Sequence, residues 1–260
     1  MLTGQPLDSL PIWAVYLLTV LLLFAAMESG YRLGKTRLRE SIARPDAGVG
    51  AIVAATLALL AFLLAFVVGF AANIFNERRE LVVDEANAIG ASYLRAGYLD
   101  EPYRTESRDL LREYVDMRLA ARELETREMA LTRSEKIHDE LWSRAEVVAR
   151  ENPVDTIAIY IESLNEVIDM HTERVSVGLG IRVPPTILLG LYLVALGTMF
   201  LVGMGSAYRE NRNNIALILL ILILSVVLLL IVDLDRSQDG LLRVPQQAMI
   251  DLQRQLNVSP

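Results

Sequence analysis

Cysteine is absent from all 260 residues. That excludes disulfides, thiolate metal centres, covalent haem attachment and a cysteine nucleophile. Histidine occurs only at His138 and His171, without the HExxH spacing of a zinc-binding helix, and both read as ordinary polar helix residues. There is no glycine-rich phosphate loop, no GxSxG elbow and no Ser-His-Asp order. Nothing supports an enzyme, and no cofactor or resident metal is expected. A basic stripe with interleaved aromatics is also missing. With 32 acidic residues against 25 basic ones, the formal charge is −7, which argues against nucleic acid as a partner.

What the chain does have is segregation. Hydrophobic residues make up 53% and charged residues 22%, and the two classes occupy different stretches, the pattern of an integral membrane protein. Four apolar runs, at about 11–28, 47–75, 184–205 and 215–232, approach the roughly 20 residues a membrane helix needs. Trp13 and Tyr16 sit at one end of the first run like an interfacial belt. No lysine or arginine precedes it, unlike a signal peptide. The Pro184-Pro185 pair marks the start of the third run, since proline in the first turn costs no hydrogen bond. None of the runs alternates as a barrel strand would. The expected fold is therefore an all-α integral membrane protein with four spans and a long helical hairpin between spans two and three.

The organisation follows. Residues 1–75 hold spans one and two with a basic connection, 76–182 a charged helical domain, 183–233 spans three and four, and 234–260 a C-terminal tail. In 76–182 the first helix continues out of span two and breaks near Asp100-Glu101-Pro102. A long second helix is expected from about Thr105 to Glu151, on the stripe Leu110, Tyr114, Met117, Ala121, Leu124 and Leu131, interrupted by Glu128 and resumed at Ile137, Leu141, Ala145 and Val148. A third helix follows at about 154–177. So thin a projection buries little alone, which predicts a homo-oligomer.

Sidedness can be read from loop charge. Arg32, Lys35, Arg37, Arg39 and Arg44 lie between spans one and two, and Arg209 and Arg212 between three and four. The positive-inside rule puts both connections in the cytoplasm and 76–182 outside the cell (inner) membrane. That region has 15 basic residues among 23 acidic ones, but long domains cross largely regardless of charge.

The second span is the most informative. Ala58, Ala61, Ala65, Gly69 and Ala72 form a small-residue face that permits close helix packing. Phe62, Phe66 and Phe70 recur at i, i+4, and the same direction continues to Asn73 and Glu77. Such a helix can line a hydrophobic constriction that gates by dewetting; alternatively the phenylalanines face lipid or pack on spans three and four. No Asp, Glu, Lys, Arg or His lies in any span core. Proton relays and coupled transporters need such groups, so a passive pore or a non-conducting scaffold remains. Glu85 and Asn87 could line an ion vestibule or lock helix packing. Asp233 and Asp235 could bind a cation with Asp239, or end the fourth helix and pair with Arg236.

Residues 76–99, NERRELVVDEANAIGASYLRAGYL, and 110–119, LLREYVDMRL, resemble the bacterial bestrophin-like membrane proteins. HTERVSVGLGIRVPP at 171–185 and IVDLDR at 231–236 fit the same pattern. The resemblance implies kinship with bestrophins, pentameric chloride channels of four spans per subunit. Their second-span helix lines a hydrophobic neck with bulky residues one turn apart, similar to Phe62, Phe66 and Phe70. It implies lipid, further copies of the chain and inorganic ions as partners, with anions conducted. It also implies that the region between spans two and three is cytoplasmic, opposite to loop charge. The function expected is an oligomeric passive ion channel. The alternative is a membrane scaffold or sensor whose helical domain binds a partner protein.

Overall fold

The computed structural model describes residues 10–40, 47–123, 125–208, 212–236 and 240–258. Arg44, Leu124, Arg209 and Asp239 lie outside the described residues. Among the described residues, eight α-helices follow in order: α1 Ile12–Glu40, α2 Ala47–Arg95, α3 Tyr103–Ala120, α4 Arg127–Glu151, α5 Asp155–Leu179, α6 Pro185–Ala207, α7 Asn214–Asp235 and α8 Gln247–Val258. A 3-10 turn at Ala96–Tyr98 follows α2. No strand occurs among the described residues.

The chain divides into two compact units, residues 1–75 with 182–242 and residues 76–181 with 243–260. Helix α2 contributes to both.

The first unit is the membrane unit. Its four helices are long and apolar enough to cross a bilayer, and the chain is a multi-pass membrane protein. Leu23 and Met27 of α1, Leu64 and Val67 of α2, Leu191 and Met199 of α6, and Ile221 and Leu228 of α7 form its core. Its outward leucines, such as Leu21, Leu189 and Leu193, are exposed, as lipid-facing positions should be. Helices α1 and α6 touch backbone to backbone. A Cβ at Gly30 would collide with the Phe200 carbonyl oxygen, and one at Gly203 with the Met27 carbonyl oxygen. The Tyr192 hydroxyl donates to Thr19 Oγ1 at 2.9 Å, because the Thr19 proton goes to the Val15 carbonyl.

The basic connection after span one is largely helix, since α1 runs on to Glu40. Arg32 and Arg212 both pair with Glu28, at 3.0 and 3.1 Å, and Arg212 lies 4.1 Å from the centre of the Tyr31 ring.

The second unit is water-facing in composition. Ile89 and Tyr93 of α2, Leu111 and Val115 of α3, Ile137 and Leu141 of α4, Tyr160 and Leu164 of α5, and Met249 and Leu252 of α8 form one core. The single helix expected over 105–151 is two helices. The chain turns between Ala120 and Arg127, where the Thr126 hydroxyl donates to the Ala120 carbonyl at 2.6 Å. Folding back buries Leu111 and Val115 with Ile137 and Leu141, whereas a straight helix would leave both stripes wet. Arg133 on α4 grips Glu113 on α3 with Nε and Nη2, at 2.6 and 2.8 Å. Helix α8, within the stretch read from sequence as a tail, packs Met249, Leu252 and Leu256 into this core; their 3-4 spacing makes one helical stripe.

Candidate functional site

Helix α2 has a buried side and an open side. Leu60, Leu64, Val67, Ala71 and Ile74 are buried. Phe62 and Phe66 retain 68% and 65% of their accessible surface, and Phe70 39%. Ala58, Ala61, Ala65, Gly69 and Asn73 are exposed or half-buried too, as is Ala72. The small face and the aromatic face are therefore neighbouring parts of one open surface. A Cβ at Gly69 would meet nothing within 4 Å, so no contact inside the chain requires glycine there. At about 1.5 Å per residue, Phe62 to Phe70 covers some 12 Å of helix. Glu77, one turn after Asn73, is also exposed.

Glu85 and Asn87 separate. Asn87 is exposed, while Glu85 has no accessible surface. Glu85 Oε1 accepts the Tyr114 hydroxyl at 2.6 Å and pairs with Arg118 Nε at 2.8 Å. Its Oε2 pairs with Arg174, whose Nη2 also donates to Gln246 Oε1 at 2.6 Å. His171 Nδ1 lies 3.0 Å from the Tyr114 oxygen. The His138 ring stands edge-on to His171 with centroids 4.8 Å apart. One polar cluster thus joins α2, α3, α4 and α5. Burial, reinforced by the Glu85 charge, pushes the Tyr114 phenol well up and keeps it protonated.

In the sequence, Tyr114 reads as part of an apolar stripe and the histidines as ordinary polar positions. The missed signal is polar residues at core positions of a helical period. His171 follows buried Val167 by four residues, and Arg118 follows buried Tyr114 by four; a side chain so placed must be buried and must find partners.

Asp233, Asp235 and Arg236 are also buried. Asp233 accepts the backbone N–H groups of Leu241 and Leu242, at 2.6 and 3.0 Å. Asp235 accepts the Val183 N–H at 2.7 Å and pairs with Arg182 Nη2 at 2.9 Å. Arg236 donates to the Leu10 carbonyl at 2.8 Å. The three side chains tie the end of α7 to the approach to α1, the approach to α6 and the chain after α7. Among the described residues, no group of three or more His, Cys, Asp or Glu side chains could hold a metal ion.

Comparison with known proteins gives a consistent picture. The bestrophin-like domain matches residues 21–249. The fold resembles the crystal structure of a point mutant of a bacterial bestrophin homologue from Klebsiella pneumoniae, with a TM-score of 0.63 and 16% identity over 95% of this chain and 97% of that one. It also resembles the crystal structure of a membrane protein bearing one proline-to-alanine change, with a TM-score of 0.61 and 19% identity over 94% and 97%. At such identities the likeness is one of fold. No curated protein matches in sequence.

Proposed function

Because the chain belongs to the bestrophin-like family, we propose that it is an oligomeric, passive ion channel whose α2 lines a hydrophobic constriction and whose conducted ions are anions. The observation that carries this reading is the open face of α2. Phe62, Phe66 and Phe70 turn away from their own unit while the opposite face of the same helix is buried. Bulky apolar side chains stacked one turn apart around an axis make a constriction that dewets. Ala58, Ala61, Ala65 and Gly69 beside them let the α2 helices of neighbouring copies approach closely. Asn73 and Glu77 supply a polar exit. A closed ring follows from repeating one interface about an axis, and family kinship supports five copies. The lack of ionisable residues in the span cores fits passive conduction rather than a coupled cycle.

In this reading the protein sits in the cell (inner) membrane, with the basic C-terminal end of α1 and the connection after α6 on the cytoplasmic side and 76–182 on the other.

Replacing all three phenylalanines by alanine should raise single-channel conductance in planar bilayers severalfold. The alternative is a non-conducting scaffold. A folded wild type and a folded triple variant that both pass no current would end the channel reading, and a monomer or closed dimer in particle images would favour the scaffold.

A further inference from the structure

Both of the chain's histidines meet in one buried cluster of the second unit. His138 and His171 retain 7% and 6% of their surface, and their rings lie 4.8 Å apart. The Tyr114 hydroxyl has one proton, and it goes to Glu85 Oε1. The hydrogen bond between Tyr114 and His171 must therefore run from His171 Nδ1–H to the phenol oxygen. His171 is held as one neutral tautomer. His138 presents a buried Nε2 that has no hydrogen-bond partner, so the cluster offers no acceptor to a proton placed there.

Burial is the main obstacle to a positive charge on either ring; Arg118 opposes one at both and Arg174 at His171, while Glu85 favours one at both and Asp139 at His138. Helix α2 contributes Glu85, α3 Tyr114 and Arg118, α4 Asp139 beside His138, and α5 Arg174, with neutral Gln246 ahead of α8. Glu85 already answers to two guanidinium groups.

We propose that His138 and His171 are a proton-binding pair, and that their protonation releases the Glu85 clamp joining α2 to α3 and α5. With the clamp closed, burial holds the histidines down at about 4 and about 3. Released into water, each returns to about 6.5. The released form alone then takes up protons as pH falls below about 6.5. Each histidine shifts the balance towards release by about tenfold per pH unit, and the two together by about a hundredfold. The hundredfold slope holds to about pH 4, where His138 protonates in the closed form as well, and the tenfold share of His171 continues to about pH 3. For a channel lined by α2, this loosens the helix that carries Phe62, Phe66 and Phe70. That consequence rests on the proposed function; the test below requires no current.

Amide hydrogen exchange of the full chain in lipid nanodiscs would be followed over residues 80–95 and 165–179 at pH 7.5 and 5.0, corrected for intrinsic rates. Wild type should lose at least tenfold in protection at pH 5.0, and the double variant His138→Phe/His171→Gln should keep it. Unchanged protection in wild type, or equal loss in the double variant, overturns the proposal. Should the double variant not fold, imidazole NMR of wild type decides, since no other histidine contributes. Both rings should titrate together with the loss of protection. Titration near 6.5 with protection intact, or silence of both rings down to pH 4, overturns it equally.

Discussion

At the residue scale, Glu85 is one carboxylate serving two guanidinium groups and a phenol with no access to water. Burying an ion pair is costly in itself, and removing one partner costs more because the other charge stays behind. Glu85→Gln keeps the shape and an acceptor for Tyr114 but leaves Arg118 and Arg174 buried without an anion. The expected loss is about 3–5 kcal/mol, read as a large fall in the thermal midpoint of the purified protein. Glu80→Gln, exposed on the same helix, should change little. Glu85 stands out in the sequence as a candidate, but the sequence does not say which of its two roles applies. Vestibule and packing lock share a position on a helix and differ only in what the other helices bring to it. Those partners, Arg118 and Arg174, lie 33 and 89 residues away.

At the scale of elements, glycine separates two kinds of helix face. Gly203 on α6 meets the α1 backbone, whereas a Cβ at Gly190 or Gly197 on the same helix would meet nothing within 4 Å. Gly203→Ala should force α1 and α6 apart and cost about 1–3 kcal/mol. Gly197→Ala should be neutral or stabilise by up to about 1 kcal/mol, the helix propensity difference. Thermal unfolding of the two variants side by side checks the contrast. The spans were legible because a bilayer imposes length and composition, and the continuation of α2 past Phe75 because no glycine or proline occurs from Phe75 to Ile89. The turn after Ala120 was not, for the same reason: no helix breaker marks it, and burial of two stripes against each other decides it. Gly30 and Gly34 on α1, and Gly203 and Ala207 on α6, are small residues four apart, signals that could have announced the α1–α6 contact. The direction of the Phe62, Phe66 and Phe70 row was not legible either. In a helix apolar all round, periodicity does not distinguish a core face from an outward one.

At the scale of the whole molecule, sidedness is where loop charge and family kinship make opposite demands. A chain without cysteine allows a clean test, because any introduced thiol is the only one. Thr36 and Lys136 are exposed. Under the proposed orientation, a membrane-impermeant maleimide added to intact cells should label Lys136→Cys at once and Thr36→Cys only after permeabilisation. The reverse pattern would give the sidedness implied by bestrophin kinship.

The close fit of α1 to α6 also sets a timetable. Glu28 finds its partner Arg212 only after 184 further residues have been made. At roughly 5–20 residues per second, that is about 10–40 s of synthesis. Until Phe200 and Met204 have been made, Gly30 and Gly34 lack the α6 backbone they fit. Helix α1 therefore waits for the third span to complete its packing, and the membrane unit cannot close until α6 has been made.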